Sequence, residues 1–203
     1  VTPRNDSADE TGRATDEAAW ESLSSEIRVC TRCRLHTTRT QAVIYRGSLR
    51  PRVLFVGEAP GAAEDREGLP FVGRSGKKLD VAIATIGLGS DQFGVLNLVK
   101  CRPPENVFDP VAERTCRPYL DRQVAILKPE VLVTLGAHAL RAVAPHALPI
   151  LTSAGSPIAG TRPPVFPLIH PAAAMRSSRL TERWNRDVAG LGAWLRTSLQ
   201  HPF

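Results

Sequence analysis

Residues 53–61 read Val53-Leu54-Phe55-Val56-Gly57-Glu58-Ala59-Pro60-Gly61, an apolar run that stops at a glycine and opens into a Pro-Gly turn. A run of this kind without polar alternation is expected of a strand buried on both faces. The pattern recurs at Val95-Leu96-Asn97-Leu98-Val99, at Val131-Leu132-Val133-Thr134-Leu135 and at Val165-Phe166-Pro167-Leu168-Ile169. The interior Pro167, which has no N–H to give a neighbour, places the last of these at an edge or bulge. Helical segments are expected between and after the strands, over residues 76–86, 111–127, 137–143 and 181–198. Ser75 caps the first, Gly87 and Gly89 close it, and Trp184, Val188, Leu191 and Leu195 share one face of the last. Strand alternating with helix predicts an α/β fold whose central four-stranded parallel sheet is covered on both faces.

Outward from this core, residues 1–18 are polar and charged and are expected to form a disordered tail, with a single domain over residues 19–203. Within residues 20–29, Trp20, Leu23 and Ile27 recur at helical spacing and lead into Cys30. No internal repeat is evident.

The chain of 203 residues carries a formal net charge of +6 and has a pI near 9.6, which favours polyanionic partners. No apolar run is long enough to span a bilayer and the opening residues are not signal-like, so a soluble, intracellular protein without a membrane partner is expected. GEAPG lacks the G-x-G-x-x-G spacing of a dinucleotide fold, and no G-x-x-x-x-G-K-[ST] is present, which argues against an NTPase.

In an open parallel sheet, ligands bind beyond the carboxyl ends of the strands. The first strand is followed there by Gly57, Glu58 and Ala59, then Glu64 and Phe71. The second carries Asn97, whose carboxamide both donates and accepts and so suits the paired N–H and C=O edge of a pyrimidine. The fourth ends at His170, and Phe71 can stack on a planar ring. Ser75, Lys77, Lys78, Lys100 and Arg176 surround these positions with groups suited to phosphate.

Four cysteines fall as Cys30-x2-Cys33, Cys101 and Cys116. The spacing points to a shared metal or cluster rather than disulfides, and by itself leaves zinc and a [4Fe-4S] cluster both open.

The strings GEAPGAAEDREGLPFVGRSG, NLVKCRPPEN, CRPYL, LGAHA and HPAAAMR occur in that order. They resemble the family 4 uracil-DNA glycosylases of the [4Fe-4S] type, from about Cys30 to the last helix. The resemblance implies a three-layer α/β/α fold and hydrolysis of the bond between uracil and deoxyribose in double- or single-stranded DNA, leaving an abasic site. It implies a structural [4Fe-4S] cluster on Cys30, Cys33, Cys101 and Cys116. Phe71 would stack on the extruded uracil, Asn97 would read its N3–H and O4 edge, and His170 would donate to O2. Glu58 and Ala59 occupy the water-side motif. Other uracil glycosylases carry an aspartate where Ala59 stands, which leaves Glu58 first, or else Glu64 or main-chain carbonyls, to position the water. Met175 is the candidate wedge into the base stack, with Arg176 on a phosphate. PPENVFDP departs from the PPxNRxP of many relatives, around Asn106.

A related branch traps the abasic sugar through a histidine in a basic insert; the stretch between Lys100 and Cys116 is short and holds no histidine, so turnover is expected. A non-catalytic iron-sulfur DNA-binding module is the alternative from another class. A cytoplasmic, nucleoid-associated monomer is the default expectation.

Overall fold

The computed structural model describes residues 6–199, with side chains described from residue 12. Its sheet has five strands rather than four: β1 (Arg46–Gly47), β2 (Val53–Gly57), β3 (Phe93–Asn97), β4 (Val131–Leu135) and β5 (Val165–Leu168), in the order β1-β3-β2-β4-β5. The four long strands are parallel, as expected, and β1 adds an antiparallel edge, pairing Arg46 with Val95 and Gly47 with Gly94. Two polar or small residues give no apolar pattern to read, so this strand escapes a sequence search. β5 lies at the opposite edge, where Pro167 was expected. There the N–H groups of Ile158 and Gly155 donate to the Val165 and Pro167 carbonyls, at 2.8 and 2.9 Å.

Alternation along the strands divides the core in two. Leu54, Val56, Leu96 and Leu132 face one layer of helices, α1 (Asp6–Arg28), α4 (Pro110–Leu127) and α5 (Ala137–Val143). Val53, Phe55, Val95, Val131 and Val133 face the other, α3 (Arg74–Thr85), α7 (Pro171–Ala174) and α8 (Ser178–Ser198). The short α2 (Ala62–Glu67) and α6 (Ile150–Ser153) lie in the connections. Trp184, Val188, Leu191 and Leu195 of α8 are all buried, on the face their spacing indicates.

Several boundaries differ from expectation. Residues 6–18, expected in a disordered tail, belong to α1, which carries on to Arg28; residues 1–5 of that tail lie outside the described residues. The reason is chemical: Arg13, Ala14, Glu17 and Ala18 are good helix formers, and Asp16 among them pairs with Lys128 at 2.8 Å. Core contact still begins only at Trp20. Strand β3 runs from Phe93, two residues earlier than expected, and ends at Asn97; Leu98 and Val99 are buried beyond it, their N–H groups on the Gly57 and Glu58 carbonyls, each at 2.9 Å. Ser75 sits inside α3, whose cap position is Gly73.

Candidate active site

Gly57 and Asn97 close the carboxyl ends of the paired strands β2 and β3, and His170 follows β5 by two residues. A cleft of about 680 Å³ opens above them, lined among others by Glu58, Ala59, Phe71, Asn97, His170 and Arg176.

Asn97 forms the floor. It is 1 % exposed, and its Oδ1 has no hydrogen-bond partner among the described residues. A buried carbonyl without a donor costs about 1–3 kcal/mol, so it is a place where a ligand N–H is favoured. Beside it stands the Phe71 ring, buried, on a residue whose φ of +56° lies in the left-handed region. Two glycines allow that arrangement. A Cβ at Gly57 would meet the Phe71 Cζ at 2.5 Å and would also strike the Asn97 Oδ1, and one at Gly76 would overlap the Phe71 carbonyl oxygen. The Phe71 and His170 rings face the same space, their centroids 6.0 Å apart.

His170 caps α7. Its Nδ1 accepts the Ala172 N–H at 3.1 Å. The ring proton of the neutral imidazole is therefore on Nε2, available as a donor. Burial, reinforced by the charge of Arg176, pushes the pKa of His170 down to about 4, against a smaller opposing pull from Glu64. The group is a neutral donor at physiological pH.

The two carboxylates differ in role. Glu64 is buried and accepts three hydrogen bonds: one oxygen takes the Gly61 N–H at 3.1 Å, the other those of Val72 and Gly73 at 3.0 and 2.9 Å. It ties the turn after β2 to the segment carrying Phe71, and although it lines the cleft, about one acceptor site of its carboxylate is left for a water. Glu58, half-buried on the cleft wall, makes no such bonds among the described residues. Burial and the charge of Glu113 raise its pKa, and Arg141 opposes them.

The expected phosphate contacts divide. Ser75 and Arg176 line the cleft, joined by Arg74, which sequence reading missed. Lys77 is exposed on α3, outside the cleft lining; Lys78 sits over the Trp184 ring at 5.9 Å. Lys100 cannot reach DNA: it is 1 % exposed and its ammonium donates to the Asn97 carbonyl. Met175 stands at the end of α7, 38 % exposed.

Also unforeseen are His138, Arg141 and Phe108, which gather behind Glu58. His138 follows the end of β4 much as His170 follows β5, and that strand-end position was the available signal.

The four cysteines are free thiols. Cys101 and Cys116 are buried, and Cys30 and Cys33 pack against the same cluster of side chains. Burial raises Cys101 to about 11 and also raises Cys116, with mutual repulsion among the thiols contributing to both. Arg39 donates to the Cys101 sulfur at 2.9 Å. Among the described residues, no group of three or more His, Cys, Asp or Glu is arranged to hold a metal ion. No helix among them is long and apolar enough to cross a membrane.

Comparison with known proteins gives a consistent result. Residues 44–189 match the model of the uracil DNA glycosylase superfamily. The chain is 39 % identical to a type-4 uracil-DNA glycosylase of Sulfurisphaera tokodaii, over 82 % of this chain and 80 % of that protein. It is 38 % identical to one of Thermotoga maritima (80 % and 86 % covered) and 34 % identical to one of Archaeoglobus fulgidus (85 % and 91 %).

Proposed function

The chain belongs to the uracil-DNA glycosylase superfamily, and from that premise we propose that it excises uracil from DNA, in base excision repair, with the strand-end residues as its catalytic site. The observation that carries this assignment is the orphaned Oδ1 of Asn97 beside the Phe71 ring. A uracil stacked on Phe71 would give its N3–H to that oxygen and accept the Asn97 amide at O4, whereas cytosine offers no N3–H.

The chemistry follows from the charge balance. As the bond between C1′ and N1 breaks, its electron pair passes to the base, and the Nε2–H of His170 meets the developing charge at O2. A preorganised donor of this kind contributes about 3–4 kcal/mol to transition-state stabilisation. Glu58 holds the water that adds to C1′ and takes its proton. A neutral His170 suits a leaving group that departs as the anion, since no proton need move to it. Arg74, Ser75 and Arg176 at the rim would meet phosphates, and Met175 would fill the gap left by the extruded base.

Cys30, Cys33, Cys101 and Cys116 would hold a [4Fe-4S] cluster; the donor set fits it in number and kind, with Arg39 and Lys100 offsetting thiolate charge. When bound, it supplies a covalent tie between the end of α1 and the segment entering α4, and no step of the reaction. The substrate is double- or single-stranded DNA, met by a monomer in the cytoplasm at the nucleoid.

The test is uracil release from a labelled U:G duplex, with and without alkaline cleavage. Alkali-dependent cleavage that collapses in Asn97→Asp, together with loss of uracil selectivity, is the expected result. An alkali-independent slow band would indicate covalent trapping, and no product a binding module; either overturns the proposal.

A further inference from the structure

Behind the cleft, on the far side of Glu58, lies a constellation that the reaction above does not use. His138 is in the first turn of α5, and α5 follows β4, the strand beside β2. Glu58 follows β2 itself. The two side chains therefore meet where the sheet's order turns back on itself, with His138 Nε2 at 3.9 Å from Glu58 Oε2.

The other faces of the imidazole are fixed. Its Nδ1 lies 2.7 Å from Arg141 Nη2. A guanidinium only donates, so Nδ1 is the acceptor and the ring proton is on Nε2, the nitrogen that faces Glu58. The ring stacks on Phe108, with centroids 3.5 Å apart and planes inclined by 24°. Phe108 precedes Asp109, which caps α4 and accepts Arg34 Nε at 2.9 Å, one residue after Cys33. Burial, with the charge of Arg141, lowers the pKa of His138, which keeps the ring neutral. His138 does not itself line the cleft.

We propose that His138 is a positioning residue for Glu58: clamped between Arg141 and Phe108, it directs its Nε2–H at the carboxylate and fixes the orientation in which that carboxylate holds the water. The distance of 3.9 Å is beyond a direct hydrogen bond, so the contact is a close approach of donor and carboxylate. The inference rests on the assignment of Glu58 as the water-holding group. The charged and titratable groups around Glu58 are His138 and Arg141 on α5 and Glu113 on α4. The Nε2–H and Arg141 favour the ionised carboxylate, and Glu113 opposes it.

The experiment is single-turnover uracil release across the acid range, with DNA affinity measured separately, on the cluster-loaded full chain. His138→Phe keeps a ring on Phe108 and removes the donor. It should lower the rate on the order of ten-fold, as expected for a misplaced reacting group, with DNA affinity unchanged. It should also move the acid limb to higher pH, because a donor to the ionised form is lost. His138→Gln, which keeps a donor, should recover part of the rate. In a Glu58→Gln background, His138→Phe should cost nothing further. A wild-type rate and acid limb in His138→Phe, or an equal loss in both backgrounds, overturns the inference. If the phenylalanine variant does not fold, His138→Asn, whose amide is too short to reach Glu58, reads the same outcomes. A Glu58→Gln protein with wild-type activity overturns the underlying assignment, and the inference with it.

Discussion

Gly57 and Phe71 occupy one another's margin: a single carbon added to Gly57 would lie 2.5 Å from the ring atom Cζ of Phe71. The floor and wall of the cleft are thus set by an absent side chain, and Gly57→Ala should displace either the ring or the carboxamide of Asn97. Overpacking of this kind costs about 1–3 kcal/mol. We expect uracil release to fall on the order of 100-fold, with a drop in melting temperature; the pair of measurements, rate and thermal midpoint, checks both.

His170 gives a prediction in pH. Its pKa in the fold is about 4, below the ordinary 6.5. Above 6.5 the folded and unfolded chains are both neutral there. Between 6.5 and about 4 the unfolded chain takes the proton first, so stability falls as the pH drops through that window, by up to ~3 kcal/mol. His170→Asn should flatten this part of a melting-temperature profile. The same variant should lose about 100-fold or more in rate at neutral pH. In the native protein, loss of activity on acidification should follow Glu58 before His170, because burial and the charge of Glu113 hold the Glu58 pKa above its ordinary value.

Glu64 and Glu58 should separate cleanly. Glu64→Ala leaves the N–H groups of Gly61, Val72 and Gly73 without their acceptor and should destabilise the fold by about 1–3 kcal/mol or more. Its effect on rate should be reversed in part by lower temperature. Glu58→Gln should leave the melting temperature close to wild type while abolishing most turnover. Thermal melts and single-turnover rates on the two proteins distinguish the roles.

With the proposed cluster as the tie between α1 and α4, Cys101→Ser should lower iron and sulfide content and reduce the thermal midpoint before it alters uracil selectivity. Pure, iron-free wild-type protein of unchanged stability is the contrary outcome.

Much of this was legible before any coordinates. Strand Val53–Gly57 is an apolar run ended by glycine, Val131–Leu135 is apolar but for Thr134 and is followed by Gly136, and their bounds fall where the sequence places them. The end of β3 was not legible, because Leu98 and Val99 are buried as its strand residues are: the Leu98 N–H binds the carbonyl of Gly57, the last residue of β2, and the Val99 N–H that of Glu58 in the turn beyond it. Charge misled at Lys100, since a lysine followed by a cysteine ligand candidate reads as surface and is in fact sealed under Asn97. The roles of Glu64 and His138 depend on which atoms their neighbours turn toward them. Nothing in LGAHA itself shows that its histidine comes near Glu58, because that approach is made by the sheet order and by Phe108, far away in the chain.

The margins of the sheet bear on how the protein behaves in bulk. One ends in the two residues Arg46–Gly47, too short and too charged to template another strand. At the other, Pro167 has no N–H to offer, and residues 155–158 already occupy its carbonyl and that of Val165. Neither side invites a neighbour's backbone, so crowded copies of the folded chain have no ready path to the ribbon-like stacking by which exposed sheets turn into fibres.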